Sequence, residues 1–344
     1  MKKLLLVLGI ICLLSGCSLV PDSYASIVPH TEVNTQPTDT QAITVDSATE
    51  MKNAVLSLVE EGAEGATLMA AYEGDPAADF RETVRYLTES NPASAYLLES
   101  ISHVLHKTGD AFQFDLLITY RRSPDTLTGV QTVRNAQDVR GALMKALSDC
   151  AEGLVLRMTS YAETDFSLLA QECFQNAPTR IMEMPKIQWQ LYPDTGAVRI
   201  AELRFTYSHE PGELLAMQTA VKDILDAANA YVRYVQGDVE KASLLYSFLA
   251  ERHDYLVGTS DTPAYSLLIS GVGDSLSFAR IYEVMCQNAG LNCTLVDGQR
   301  DGAPYYWNRL TLSDGEWDVD VLANVQSGLR DPVYMDKTAR QEQS

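Results

Sequence analysis

Apolar residues are almost unbroken from Leu4 to Leu14, sparse from Ser18 to about Asp46, and from Met51 onward return in two distinct periodicities. Met51, Ala54, Val55, Leu58 and Val59 are spaced by threes and fours, as are Val139, Leu143, Leu147 and Cys150; that spacing lines one face of a helix. A strand-like segment follows each, at Ala66 to Tyr72 and at Leu154 to Tyr161, and then a second helical pattern. Phe112, Phe114, Leu116, Ile118 and Tyr120 alternate with other residues, which places them on one side of a strand. Turn residues at Lys107-Thr108-Gly109-Asp110 and at Pro193-Asp194-Thr195-Gly196 sit between strand-like runs and predict two hairpins.

The same order of elements therefore occurs twice, at an offset of about 86 to 89 residues. Ala63-Glu64-Gly65 matches Ala151-Glu152-Gly153, Tyr72 falls beside Tyr161, Pro92 beside Pro178, and Leu116, Ile118, Tyr120 beside Leu203, Phe205, Tyr207. The expectation is a duplicated α+β module over residues 47–220, with copies at about 47–133 and 138–220. Its two nearby histidines, His103 and His106, would lie on opposite faces of a strand, so they make no metal pair.

Beyond residue 220 the pattern changes. Val221, Ile224, Leu225, Ala228, Tyr231 and Val235 predict one helix, and Ala242, Leu245, Tyr246 and Leu249 another, with Gly237-Asp238 as stop and cap between them. Asp274 and Ser275 then precede an apolar helix through Phe278, Ile281, Tyr282 and Met285 that Gly290 ends. Strand-like segments follow at Asn292 to Val296, Tyr306 to Leu312 and Trp317 to Val321. Helices feeding an antiparallel sheet make residues 221–335 a second α+β domain, followed by a tail at 336–344.

At the start of the chain, Lys2 and Lys3 before the Leu4–Leu14 run give the layout of a secretory signal, too short to span a bilayer. Leu14-Ser15-Gly16-Cys17 resembles the lipobox of bacterial lipoproteins, which implies cleavage after residue 16, lipid on Cys17, export and anchoring to a bilayer outside the cytoplasm. Residues 17–46, rich in Pro, Thr, Ser, Gln and Asp, read as a flexible tether with a reach of about 30 Å.

A net charge of −20 makes nucleic acid a poor partner. Of six cysteines, Cys12 leaves with the signal and Cys17 carries lipid. Cys150, Cys173, Cys286 and Cys293 lack CxxC spacing, which argues against zinc; they read as buried small residues, with a Cys286–Cys293 bridge as the lesser option.

The run Ala264-Tyr265, Leu268, Gly271, Ser275-Leu276-Ser277-Phe278-Ala279 resembles, without a gap, the AYxxLxxGxxxCxGYA pattern of the bacterial transglutaminase-like family. Glu240-Lys241-Ala242, Asp254-Tyr255, Gly290-Leu291-Asn292-Cys293 and Val296-Asp297-Gly298 are similar to flanking parts of that family. Tyr305-Tyr306-Trp307-Asn308 stands where it has HAWN, and Trp317 and Asp320 where it has its tryptophan and final aspartate. The resemblance covers about residues 235–325 and implies a papain-like α+β fold.

It also implies a catalytic set of cysteine, histidine and aspartate, of which only Asp320 is matched. Ser275 stands at the nucleophile, Ser277 at the usual glycine and Tyr305 at the histidine. A serine hydroxyl needs a base, a neutral tyrosine is mainly a donor, and the last histidine, His253, falls in the domain's first helical stretch, away from the site. Ser275 is expected to act as an N-cap, Trp307 as a buried aromatic and Asn308 as a strand-end amide; Asp274, Tyr306, Trp307 and Asn308 are candidates for a leftover groove, and Asp320 for a bond to Tyr305. The leading reading is a pseudoenzyme that binds peptide, protein or cell-wall material or acts as a scaffold, with no cofactor and no metal. The alternative is a divergent hydrolase or acyltransferase using Ser275 with a non-histidine base.

Overall fold

The computed structural model describes residues 42–256, 258, 260–329, 332 and 334–337. The expected signal segment, Cys17 and nearly all of the expected tether lie outside these residues. One part of the tether expectation is corrected: Ile43–Val45 forms a strand, β1, running parallel to β2 (Gly65–Ala70), with Val45 buried. Two apolar residues in a polar stretch suffice here because pairing with a distant strand supplies what the local composition lacks.

The first module orders β1, α1 (Ala48–Glu61), β2, α2 (Pro76–Glu89), α3 (Pro92–Leu97), β3 (Leu98–Thr108) and β4 (Ala111–Tyr120). Ser47 caps α1 by accepting from Glu50 N, and Gly62 ends it in the left-handed conformation that a glycine adopts without a Cβ penalty. The buried face of α1, through Met51, Val55, Leu58 and Val59, packs on Phe114, Leu116 and Ile118 of β4. Tyr120 Oη donates to the carbonyls of Leu58 and Ala63, tying β4 to the end of α1.

The second module orders β5 (Gln131–Val133), α4 (Ala136–Ser148), β6 (Gly153–Met158), α5 (Phe166–Asn176), β7 (Lys186–Tyr192) and β8 (Arg199–Thr206). The two sheets have corresponding orders, β1-β2-β4-β3 and β5-β6-β8-β7, each with one parallel and two antiparallel pairings. The glycine of each Ala-Glu-Gly run sits under the neighbouring strand. A Cβ on Gly65 would lie 3.0 Å from Leu116 O, and one on Gly153 would lie 2.8 Å from Leu203 O. The modules meet through Arg122, which pairs with Glu202, donates to Tyr96 O at 2.8 Å and to Tyr192 Oη at 3.0 Å, and lies over both tyrosine rings.

The third part holds α6 (Pro211–Val232), α7 (Asp238–Ala250), α8 (Pro263–Leu268), α9 (Ser275–Asn288) and α10 (Val321–Ser327). A short parallel pair, β9 (Asp254–Tyr255) and β10 (Val272–Gly273), lies among them. An antiparallel sheet runs in the order β11 (Asn292–Arg300), β12 (Ala303–Leu312), β13 (Gly315–Val319), β14 (Met335–Lys337). Tyr246 and Tyr282 fill the core edge to face; Tyr282 Oη donates to Ala242 O at 2.9 Å and Tyr246 Oη to Asp320 O at 3.2 Å. The chain is thus mixed α+β with antiparallel sheet elements.

Several expected limits shift. The boundary at 220 falls inside α6, which begins at Pro211 because a fixed proline φ suits the first helical turn, and which ends at Val232 rather than Val235. Gly237, not Asp238, occupies the N-cap position of α7. Strand β14 reaches Lys337, past the expected tail boundary, because it pairs with β13. Among the described residues no helix is long and apolar enough to cross a membrane.

Candidate functional site

Helix α9 starts at the end of β10, and its first turn is organised by Asp274. The Asp274 carboxylate accepts from Ser277 N at 2.8 Å and from Ser277 Oγ at 2.6 Å, which makes Asp274 the N-cap. This corrects the expectation for Ser275, which is the first helical residue. A carboxylate offers more acceptor capacity than a hydroxyl and favours the positive end of the helix dipole, so it wins the cap. Among the described residues Ser275 Oγ has no hydrogen-bond partner, and no basic side chain reaches it.

Across from α9, strand β12 carries Tyr305, and Asp320 follows β13 at the start of α10. Tyr305 Oη donates to Asp320, lying 2.9 Å from Oδ1 and 3.0 Å from Oδ2, and accepts from Arg300 Nη1 at 2.7 Å. The Arg300 guanidinium lies over the Tyr305 ring, 4.6 Å from its centroid, and 3.7 Å from Asp320 Oδ2. Asp320 also accepts from Ala323 N at 2.9 Å, capping α10. Burial, reinforced by the neighbouring Asp320 charge, pushes the Tyr305 hydroxyl well above the ordinary tyrosine range, so it stays a neutral donor. Burial also raises the Asp320 carboxyl, against the opposing pull of Ala323 N, Tyr305 and Arg300.

Arg300 was not legible as a site residue. It lies two residues along β11 from Gly298, which pairs with Tyr305, so the period-two alternation of a strand places it on the face of Gly298. That register is the signal that finds it, once the hairpin between β11 and β12 is known.

The remaining candidates do not form one groove. Tyr305 and Trp307 alternate with Tyr306 and Asn308 along β12, so the two pairs face opposite ways. Trp307 is half-buried rather than buried and covers Gly298, where a Cβ would lie 2.6 Å from the indole. Asn308 is not at a strand end but in mid-strand, fully buried, with Nδ2 donating to Ala279 O at 2.9 Å, so it ties β12 to α9. Asp274 borders a different, mainly apolar cavity of about 160 Å³, walled by Phe174 and Pro178 of the second module and by Leu276 and Ile281 of α9.

No imidazole replaces the missing one. His253 lies beyond the end of α7 rather than within it, donates from Nδ1 to Leu249 O at 2.8 Å and packs edge-on against Phe278; burial lowers its pKa. His209 is held at 2.7 Å by the buried Glu183, which also accepts from the backbone of Ser208 and His209 just before α6. His103 packs on Phe80 and Phe114, while His106 pairs with Asp115. Among the described residues no cluster of three metal-binding side chains occurs.

With the geometry in view, residues 226–320 match the transglutaminase-like superfamily. Among solved structures, a candidate cysteine protease from Cytophaga hutchinsonii is 10% identical, with a TM-score of 0.28 over 45% of this chain and 66% of that one. A candidate protease from Parabacteroides distasonis is also 10% identical, with a TM-score of 0.22 over 80% of this chain and 45% of that one. The chain thus spans under two thirds of either structure, and scores this low carry nothing about chemistry. A comparison with curated proteins finds no match.

Proposed function

We propose that the transglutaminase-like region is catalytically inert, and that the chain is an exported, lipid-anchored protein in which this region is kept for binding peptide or cell-wall material or as a scaffold. The carrying observation is the Arg300–Tyr305–Asp320 cluster. Acyl transfer at this place needs a group that takes a proton from the nucleophile and returns it to the leaving group. Tyr305 instead donates its own proton to Asp320, and its oxygen already accepts from Arg300. Asp320 accepts from both Tyr305 and Ala323 N, so the matched aspartate is engaged in structure rather than poised as a base for Ser275.

The anchor rests on the Lys2-Lys3, Leu4–Leu14 and Leu14-Ser15-Gly16-Cys17 sequence. Two measurements test the reading. Purified wild-type protein is expected to show neither amide hydrolysis nor acyl transfer, and Ser275→Ala is expected to change nothing; activity abolished by Ser275→Ala overturns the inert assignment. In cells, Cys17→Ser is expected to leave the precursor uncleaved and free of acyl label, and normal labelling of that variant overturns the anchor.

A further inference from the structure

We propose that Cys286 and Cys293 are a redox pair that closes to a disulfide across the junction of α9 and β11. Cys286 lies near the end of α9 and Cys293 is the second residue of β11. Between them Gly290 takes a φ of +79°, which turns the chain back over the helix end, and Leu291 N donates to Cys286 O at 2.9 Å. Gln287 Nε2 then reaches Cys293 O at 3.3 Å, holding the start of the strand against the last helical turn. Both side chains sit in one core cluster, Cys286 fully buried and Cys293 nearly so, and the Cys286 thiol is close enough to help push the Cys293 thiol up.

The other two cysteines of the folded region are placed elsewhere. Cys150 lies at the junction with Met182 and Tyr207, and Cys173 packs in the core of the second module with Sγ toward Arg140 O. The pairing is therefore specific. Its rate is limited by ionisation, since the neighbouring Cys286 thiol and burial both push the Cys293 thiol above its ordinary range, and only a thiolate attacks a disulfide. Closure thus belongs to folding, or to a transient opening of the helix end.

The chemistry needs an oxidant of the disulfide class, such as oxidised glutathione or a thiol–disulfide oxidoreductase. One cysteine, as thiolate, attacks the oxidant's sulfur–sulfur bond and releases one thiol. The second cysteine then attacks the mixed disulfide, releases the other thiol and leaves the intramolecular bond. Two protons and two electrons pass from the pair to the oxidant. An exported location, which belongs to the reading above, supplies such oxidants; the pairing itself does not depend on it.

The test refolds the reduced, denatured full-length chain in oxidised glutathione or in dithiothreitol, then alkylates and digests it with trypsin. No lysine or arginine lies between Arg280 and Arg300, so both cysteines fall in the single peptide Ile281–Arg300. From the glutathione sample this peptide is expected unalkylated and lighter by two hydrogens than the dithiol, while the Cys150 and Cys173 peptides are alkylated. The dithiothreitol sample gives the doubly alkylated reference. A doubly alkylated peptide from both samples, glutathione on either cysteine as the final product, or bonding of either to any other cysteine of the chain overturns the proposal. None of these outcomes bears on the lipid anchor or on Ser275.

Discussion

Replacing Tyr305 by phenylalanine removes one oxygen from the cluster and leaves the ring under Arg300. The lost hydroxyl donates to a half-buried carboxylate, and hydrogen bonds to charged groups contribute about 1.5–3 kcal/mol. Solvent reaches Asp320, whose side chain keeps 21% of its exposure, and Ala323 N and Arg300 remain, so the lower end, about 1–2 kcal/mol at pH 7, is expected. For a chain of this size that lowers Tm by about 2–6 °C. The pH dependence sharpens the test. The folded-state pKa of Asp320 is raised, so over the interval between its unfolded and folded values the native state binds more protons, and this residue's contribution falls as pH rises. The Tyr305 hydroxyl opposes that rise by favouring the ionised form, so its removal costs most at neutral pH. Toward the acid end of the ordinary carboxylate range Asp320 is increasingly protonated in both states, and the difference between variant and wild type shrinks toward that of a neutral hydrogen bond. Thermal unfolding of both proteins at pH 7 and at about pH 3.5 measures this. An equal difference at the two pH values, or none at either, refutes the role given to the cluster.

Gly153→Ala is expected to destabilise by about 1–3 kcal/mol and more than Gly65→Ala, because its Cβ would approach a carbonyl oxygen more closely; chemical denaturation of both variants reads the order. Asp274→Ala removes the cap of α9 and is expected to cost about 1 kcal/mol, partly recovered in Asp274→Asn, again by denaturation midpoint. Ser275→Cys with Tyr305→His rebuilds cysteine and histidine beside the matched Asp320, and is expected to react with iodoacetamide faster than Ser275→Cys alone. Equal rates would mean that the geometry between α9 and β12 no longer serves proton transfer.

Local pattern located much of the architecture and less of the site. The three-and-four spacing of Met51, Val55, Leu58 and Val59 and the alternation through Phe114, Leu116 and Ile118 report burial directly, and those residues are buried. Strand β1 escaped because a three-residue strand owes its existence to a partner more than twenty residues away. The start of α6 at Pro211 escaped because only Leu214 of its first turns is fully buried, too little for a periodic signal. Asp274 and Ser275 are adjacent and both suit a cap, so sequence alone could not choose; the helix register chose. Arg300 and the Arg122–Glu202 junction are contacts made by register or by docking, and neither leaves a trace in spacing.

Which positions follow the transglutaminase-like pattern, and which depart from it, divides along physical duty. Asn308, which follows it, holds β12 to α9 through Ala279 O from a fully buried position, and its loss would leave that carbonyl without this donor. Asp320, which also follows it, starts α10 through Ala323 N and offers its backbone carbonyl to Tyr246. Both are needed for the fold whether or not any reaction occurs. Ser275 and Tyr305, which depart from the pattern, stand where chemistry alone demands a thiolate and an imidazole. The third departure, Ser277 at the usual glycine, even strengthens the helix start, since its hydroxyl gives Asp274 a second donor. Under the proposed inert reading, the exchange at Ser277 trades a position of the family pattern for local hydrogen bonding at the helix start.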